Sequence, residues 1–118
     1  VDRPVAGQEA IVKLHVRYRD IESTPELQHL IERRIDFGLS QFVDAIHEVH
    51  VTVADVNGPR GGVDKVCRVR LTGPGLAPIV VEQAAAEVTA AIDGAIARSA
   101  RSISRHLARR RLVAATTA

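Results

Sequence analysis

Residues 96–111 read IARSARSISRHLARRR, a stretch with six arginines and no carboxylate. Surface helices usually mix both signs, because opposite charges three or four residues apart support the helix. On a helical grid of about 100° per residue, Arg98, Arg101, Arg105 and Arg109 form one stripe about 80° wide. It lies on the far side from an apolar stripe of Val88, Ile92, Ile96, Ile103 and Leu107. Arg110 and Arg111 extend the charge. A guanidinium is a planar fork of N–H donors that matches the oxygens of a phosphate. The chemistry on offer is therefore the grip of a polyanion, and a carboxylate in the stripe would repel that ligand.

The charge distribution supports this reading. The net charge of the chain is only +2, but residues 98–118 carry six arginines and no acid, whereas residues 1–97 carry ten Lys and Arg against fourteen Asp and Glu. Such asymmetry suggests contact with a polyanion. A second basic surface follows from IVKLHVRYR (11–19), where Lys13, His15, Arg17 and Arg19 alternate with Val12, Leu14, Val16 and Tyr18. Arg68 and Arg70 take the same polar parity in VCRVRL (66–71). His50 and Thr52 keep that face polar, while Glu48 and Glu82 dilute it. A competing account is that charges on exposed strands guard a sheet against aggregation and that a basic tail aids solubility. It leaves unexplained why the acids gather elsewhere.

Aromatics make up 3% of the chain, and Tyr18 and Phe42 fall on core positions, with Phe37 the exception. Single-strand binders stack bases on exposed aromatics, so the reading here is folded RNA recognised by shape and phosphate contact. Neutralising about six phosphates gives a slope of roughly −4 to −5 in log K against log salt.

Catalysis finds no footing. Cys67 has the buried parity of a strand, which suits a small core residue better than a nucleophile. His15 and His50 share the open face, but no third ligand stands at a metal-binding spacing. NGPRGG lacks the Gly-Lys-Ser/Thr ending of a phosphate-binding loop; it reads as a hairpin loop with Arg60 at its tip. No acid/base pair emerges. The sequence thus assigns no catalytic residue, no metal, no cofactor and no small-molecule substrate. No apolar run is long enough to cross a bilayer, and VDRPVAGQEA has no signal-peptide core. A single cysteine fits a reducing, cytoplasmic setting.

The elements that position these residues follow from periodicity. Residues 1–10 read as a flexible lead-in. Strands are predicted over 11–19, 46–56, 66–71 and about 78–83, each with one apolar face. In STPEL, Thr24 is a good N-cap, Pro25 suits the first helical position and Glu26 complements the positive helix end. A helix over 25–42 follows, with Leu27, Leu30, Ile31, Ile35, Leu39 and Phe42 inward. Gly38 either weakens it or allows close packing against a strand. A second helix spans 84–111, and 112–118 fray. The order is β-α-β-β-β-α, an α+β fold with a four-stranded mixed sheet and both helices on one face. The first two strands should be parallel and the rest antiparallel hairpins, in one domain over 11–111.

The element order, STPELQHLIERRI and EQAAAEVTAAIDGAIARSARSISRHLARRR together resemble the ribosome hibernation-promoting factor / ribosome-associated inhibitor family. The most specific piece is Ala90-Ala91-Ile92-Asp93 opening a long helix that ends basic. The resemblance implies a fold related to double-stranded-RNA-binding domains. It also implies binding to the small ribosomal subunit in the mRNA/tRNA channel, blocking translation and preserving idle ribosomes under stress or in stationary phase. It assigns rRNA contact to Arg98, Arg101, Arg105 and Arg109 on the helix, with Arg110 and Arg111 as extras, and the basic sheet residues Lys13, Arg17, Arg19, Arg68 and Arg70 join them as candidate contacts from the strand pattern. The chain carries Thr89 where the family usually has an aromatic. Long members add a C-terminal dimerisation domain; ending at 118, this chain resembles the short kind, expected to be a monomer when free. The alternative is a protein-interaction module of the same fold that has lost tight rRNA binding, its acidic N-terminal part recruiting a basic partner.

Overall fold

A computed structural model describes residues 2–5, 12–57 and 62–117, with side chains over 12–57 and 62–115. The elements run β1 (Asp2–Val5), β2 (Val12–Arg19), α1 (Pro25–Leu39), a short 3-10 turn (Ser40–Phe42), β3 (Glu48–Asp55), β4 (Lys65–Gly73), β5 (Leu76–Ala85) and α2 (Val88–Thr117). Arg60 and the rest of 58–61 lie outside the described residues.

The α+β architecture is as expected. The sheet runs β1-β2-β3-β4-β5, with β2 and β3 parallel and every other pair antiparallel. Period-two alternation places Val12, Leu14 and Val16 on the same buried side as Val49, Val51 and Val53, and Cys67, Val69 and Leu71 complete that face. Ile31, Ile35 and Leu39 of α1 and Ala91, Ile92, Ala95, Ile96 and Ile103 of α2 close over it, forming one core. Tyr18 and Phe42 pack partly buried against that core, while Phe37 is 90% exposed.

The cap of α1 forms as its sequence dictates. Thr24 is extended and its Oγ1 accepts from the Leu27 N–H at 3.1 Å, with Pro25 at the first position. This satisfies one of the otherwise orphaned N–H groups of the first turn. Gly38 serves close packing, but against a helix rather than a strand. A Cβ built there would stand 2.7 Å from Ile96 Cγ2 of α2, so the missing side chain sets how near the two helices approach.

Four expectations need correction. Within the stretch 1–10, Asp2–Val5 forms an edge strand paired with β2, and the rest of it lies outside the described residues. The outer N–H and C=O groups of β2 need partners, and a four-residue segment supplies them. α1 ends at Leu39 and the chain tightens into a 3-10 turn before β3. α2 begins at Val88, because Ala84 and Ala85 remain in the ladder opposite Val66 and Lys65; sheet pairing overrides the helix propensity of alanine. Nor do residues 112–117 fray from the helix. RLVAATT contains no Gly or Pro to end it, and α2 continues to Thr117.

Candidate nucleic-acid interface

The side of the sheet away from the helices carries the predicted strand residues in cross-strand rows. His15, His50 and Arg70 form one row, and Arg17, Thr52, Arg68 and Glu82 the next. Strands lie about 4.8 Å apart, so Arg17 and Arg68 flank Thr52 at a spacing of about 10 Å. His15, Arg17, His50, Thr52, Arg68 and Arg70 line an open groove of about 550 Å³. Lys13, Arg17, Arg19, Arg68 and Arg70 are all exposed. The strands thus bring the predicted sheet residues together on one surface.

Within the groove the structure adds a group that sequence reasoning set aside. Register places His15 directly opposite His50, and Glu48 lies two residues before His50 on the same face. The imidazoles stack with centroids 4.3 Å apart and planes 6° from parallel. Both Nε2 atoms approach one carboxylate oxygen, Glu48 Oε1, at 2.8 Å from His50 and 3.4 Å from His15. The hydrogen bond with His50 holds the Glu48 carboxyl below its ordinary range, with His15 adding a smaller pull in the same direction. A third residue of ligand type therefore stands beside the two histidines, because parallel β2–β3 pairing makes neighbours of residues more than thirty positions apart in sequence. The shared parity of His15, Glu48 and His50 was the available signal; the register was not.

On α2 the arginines are exposed from Arg98 to Arg111, but they do not behave as one stripe. Ala91, Ala95 and Ser99, at four-residue spacing, are fully buried with Ile92 and Ile103, and the Ser99 Oγ donates back to the Ala95 carbonyl. Small side chains let the helix settle onto β4 and the edge strand β5. Arg98 accordingly folds onto that strand and donates to the Glu82 carbonyl, with Gln83 Oε1 also in reach. It caps a backbone acceptor that the sheet leaves unpaired. Arg101, Arg105 and Arg109 form no salt bridge among the described residues. Arg110 reaches back toward the β4–β5 turn at Gly75. The carboxylate of α2, Asp93, is occupied on the opposite flank by Arg34 of α1 at 2.6 Å.

The chain thus carries two basic surfaces, one on the open sheet face and one on α2. A family profile described as sigma 54 modulation protein / S30EA ribosomal protein matches residues 14–111. The chain belongs to this family. It is therefore a member of a ribosome-associated group of proteins, in agreement with the resemblance to hibernation-promoting factors. A crystal structure of the Thermus thermophilus Protein Y N-terminal domain is similar at a TM-score of 0.64 and 20% identity, covering 78% of this chain and 94% of that one. A ribosomal subunit interface protein from Coxiella burnetii gives 0.66 and 15% identity, covering 80% and 97%. These likenesses show the shared fold. Among curated proteins no significant match exists.

The S30EA match ends at Arg111 and so spans both basic surfaces, leaving out only Lys13 among the predicted contact residues. Within this family member Cys67 is fully buried, and burial pushes its thiol up to about 12, far from the thiolate a nucleophile needs. No helix among the described residues is long and apolar enough to cross a membrane.

Proposed function

We propose that this S30EA family member is a non-catalytic factor that binds small-subunit rRNA in the channel used by mRNA and tRNA. Occupying that channel blocks translation and preserves idle ribosomes under stress. The observation that carries the reading is a pair of exposed arginine groups, one on the open face of the sheet and one on α2. Arg101, Arg105 and Arg109 lie on the α2 flank, and Arg17, Arg68 and Arg70 on the sheet. Their guanidinium groups match phosphate oxygens, and among the described residues the open sheet face carries no exposed Phe, Tyr or Trp on which unstacked bases would stack. The Protein Y and subunit interface names of the structural relatives agree with this reading. The protein acts in the cytoplasm and is a monomer when free.

Cosedimentation with purified small subunits tests the proposal, at low and high salt and with mRNA and tRNA added. Saturable binding that weakens with salt and is displaced by tRNA supports it. No binding at low salt refutes it, and favours the alternative of a protein-interaction module whose acidic N-terminal part engages a basic partner.

A further inference from the structure

We propose that His15, Glu48 and His50 form a binding site for one zinc ion on the open face of the sheet. Three candidate ligand atoms, one from each residue, all lie within 4.8 Å of one another. A tetrahedral zinc with bonds of about 2.0–2.1 Å spaces its ligands about 3.3 Å apart. The two measured separations to Glu48 Oε1, 2.8 and 3.4 Å, already bracket that spacing. Only the two imidazole nitrogens need to draw closer, by side-chain rotation that also breaks the parallel ring stack and converges their lone pairs. Each ring then binds through Nε2 and keeps its proton on Nδ1.

The donor set is two imidazoles and one carboxylate, a combination that suits zinc. Three protein ligands leave a fourth position open on the exposed face of the sheet. Such a position takes water or an anionic oxygen. The scaffold is rigid, because β2 and β3 are both interior strands held on either side by hydrogen-bonded neighbours. The cationic side chains Lys13, Arg17 and Arg70 oppose a second positive charge, which the Glu48 carboxylate offsets in part. The inference stands apart from the ribosome reading: zinc binding by the free protein neither requires nor establishes rRNA contact.

The test is equilibrium dialysis of the tag-free full chain against zinc at pH 7.5, with metal content measured by atomic spectroscopy. Cobalt(II) serves as an optical probe of four-coordinate geometry. The expected result is one saturable equivalent per chain and a visible cobalt band. His15→Ala, His50→Ala and the near-isosteric Glu48→Gln should each weaken binding by more than about tenfold, since even outer partners of metal ligands matter that much. His29→Ala and His106→Ala should leave it unchanged. Thermal melts verify that each variant folds, and Glu48→Gln preserves volume if an alanine variant does not. Absence of a saturable equivalent overturns the site. So does binding that survives Glu48→Gln and the folded histidine variants, or that is lost only with His29 or His106.

Discussion

Reversing Arg101 and Arg105 to glutamate probes the α2 flank most directly. The two are four residues, just over one turn, apart, which separates their Cα atoms by about 6 Å along the axis, and both are exposed without a salt bridge among the described residues. Glutamate and arginine have similar helix propensity, and an exposed substitution of this kind shifts stability by no more than about 0.5 kcal/mol. The binding cost is larger. A hydrogen bond to a charged group contributes about 1.5–3 kcal/mol, so losing two gives about 3–6 kcal/mol. At about 1.4 kcal/mol per decade, that is a loss of roughly 10²–10⁴ in affinity for small subunits. The slope of log K against log salt should become shallower by about 1.4–1.8, two phosphate contacts' worth. Arg98→Ala supplies the contrast. It uncaps the Glu82 carbonyl, so it should lower stability by about 1 kcal/mol while changing the salt slope less than the double variant does. The assay is a salt titration of subunit binding paired with urea unfolding. A folded double variant with the wild-type slope refutes the assignment of the α2 flank to phosphate contact, and an unfolded one refutes its independence from the core.

Three further substitutions test the fold that holds the site. In Gly73→Ala the new Cβ would meet the Ala45 carbonyl oxygen at 2.0 Å, a backbone atom that cannot rotate away. The expected loss is about 2–3 kcal/mol, within the overpacking range, with Tm lower by about 10 °C for a chain of this size; a wild-type melt would show that the 43–47 connection does not sit against β4. Ile92→Asp puts an unpaired carboxylate at a position with no solvent exposure and should abolish cooperative unfolding by circular dichroism, since burying such a charge is among the costliest substitutions. Lys65 Nζ pairs with the fully buried Asp64 at 2.8 Å and approaches Asp55 at 3.5 Å, and the bond to Asp64 raises the lysine's pKa above its ordinary 10.5. The pair's contribution is complete below the unfolded pKa and is lost as pH rises through the higher folded value. Lys65→Gln should therefore lower the urea midpoint at pH 7, and its difference from wild type should shrink above pH 10.5; a constant gap would contradict the pairing.

The parts of this fold that local chemistry decides were readable in advance. Val12, Leu14 and Val16 alternate with Lys13, His15 and Arg17, and a half-buried strand follows with its faces assigned. Thr24 and Pro25 announce the start of α1 for reasons contained in five residues. What long-range pairing decides was not readable. Ala84 and Ala85 look helical until β4 offers them ladder partners. Asp2–Val5 is short and contains a proline, so only the open edge of β2 makes it a strand. In the same way the arginines of α2 were visible by spacing and by the absence of acids. The docking of α2 on β4 and β5, which turns Arg98 onto a carbonyl, depends on Ala91, Ala95 and Ser99 facing the sheet. The proximity of His15 and His50 depends wholly on the β2–β3 register.

The placement of charge bears on what kind of ligand fits. The helices cover one face of the sheet, so the groove between Arg17, Arg68 and Arg70 opens on the other, while Arg101, Arg105 and Arg109 lie on the helical side. The two surfaces are joined only around the β5 edge, where Glu82 follows Arg68 in its row and Arg98 holds the Glu82 carbonyl. An RNA duplex laid against one face would reach one surface and leave the other in water. A cleft whose walls both carry phosphates would reach both, with the β5 edge inserted between them. The shortest extent of the molecule is 18 Å, thin enough for opposing walls to share a single set of guanidinium groups arranged around that edge. An enclosed channel with phosphates on both walls would engage both surfaces, whereas an isolated helix would engage one.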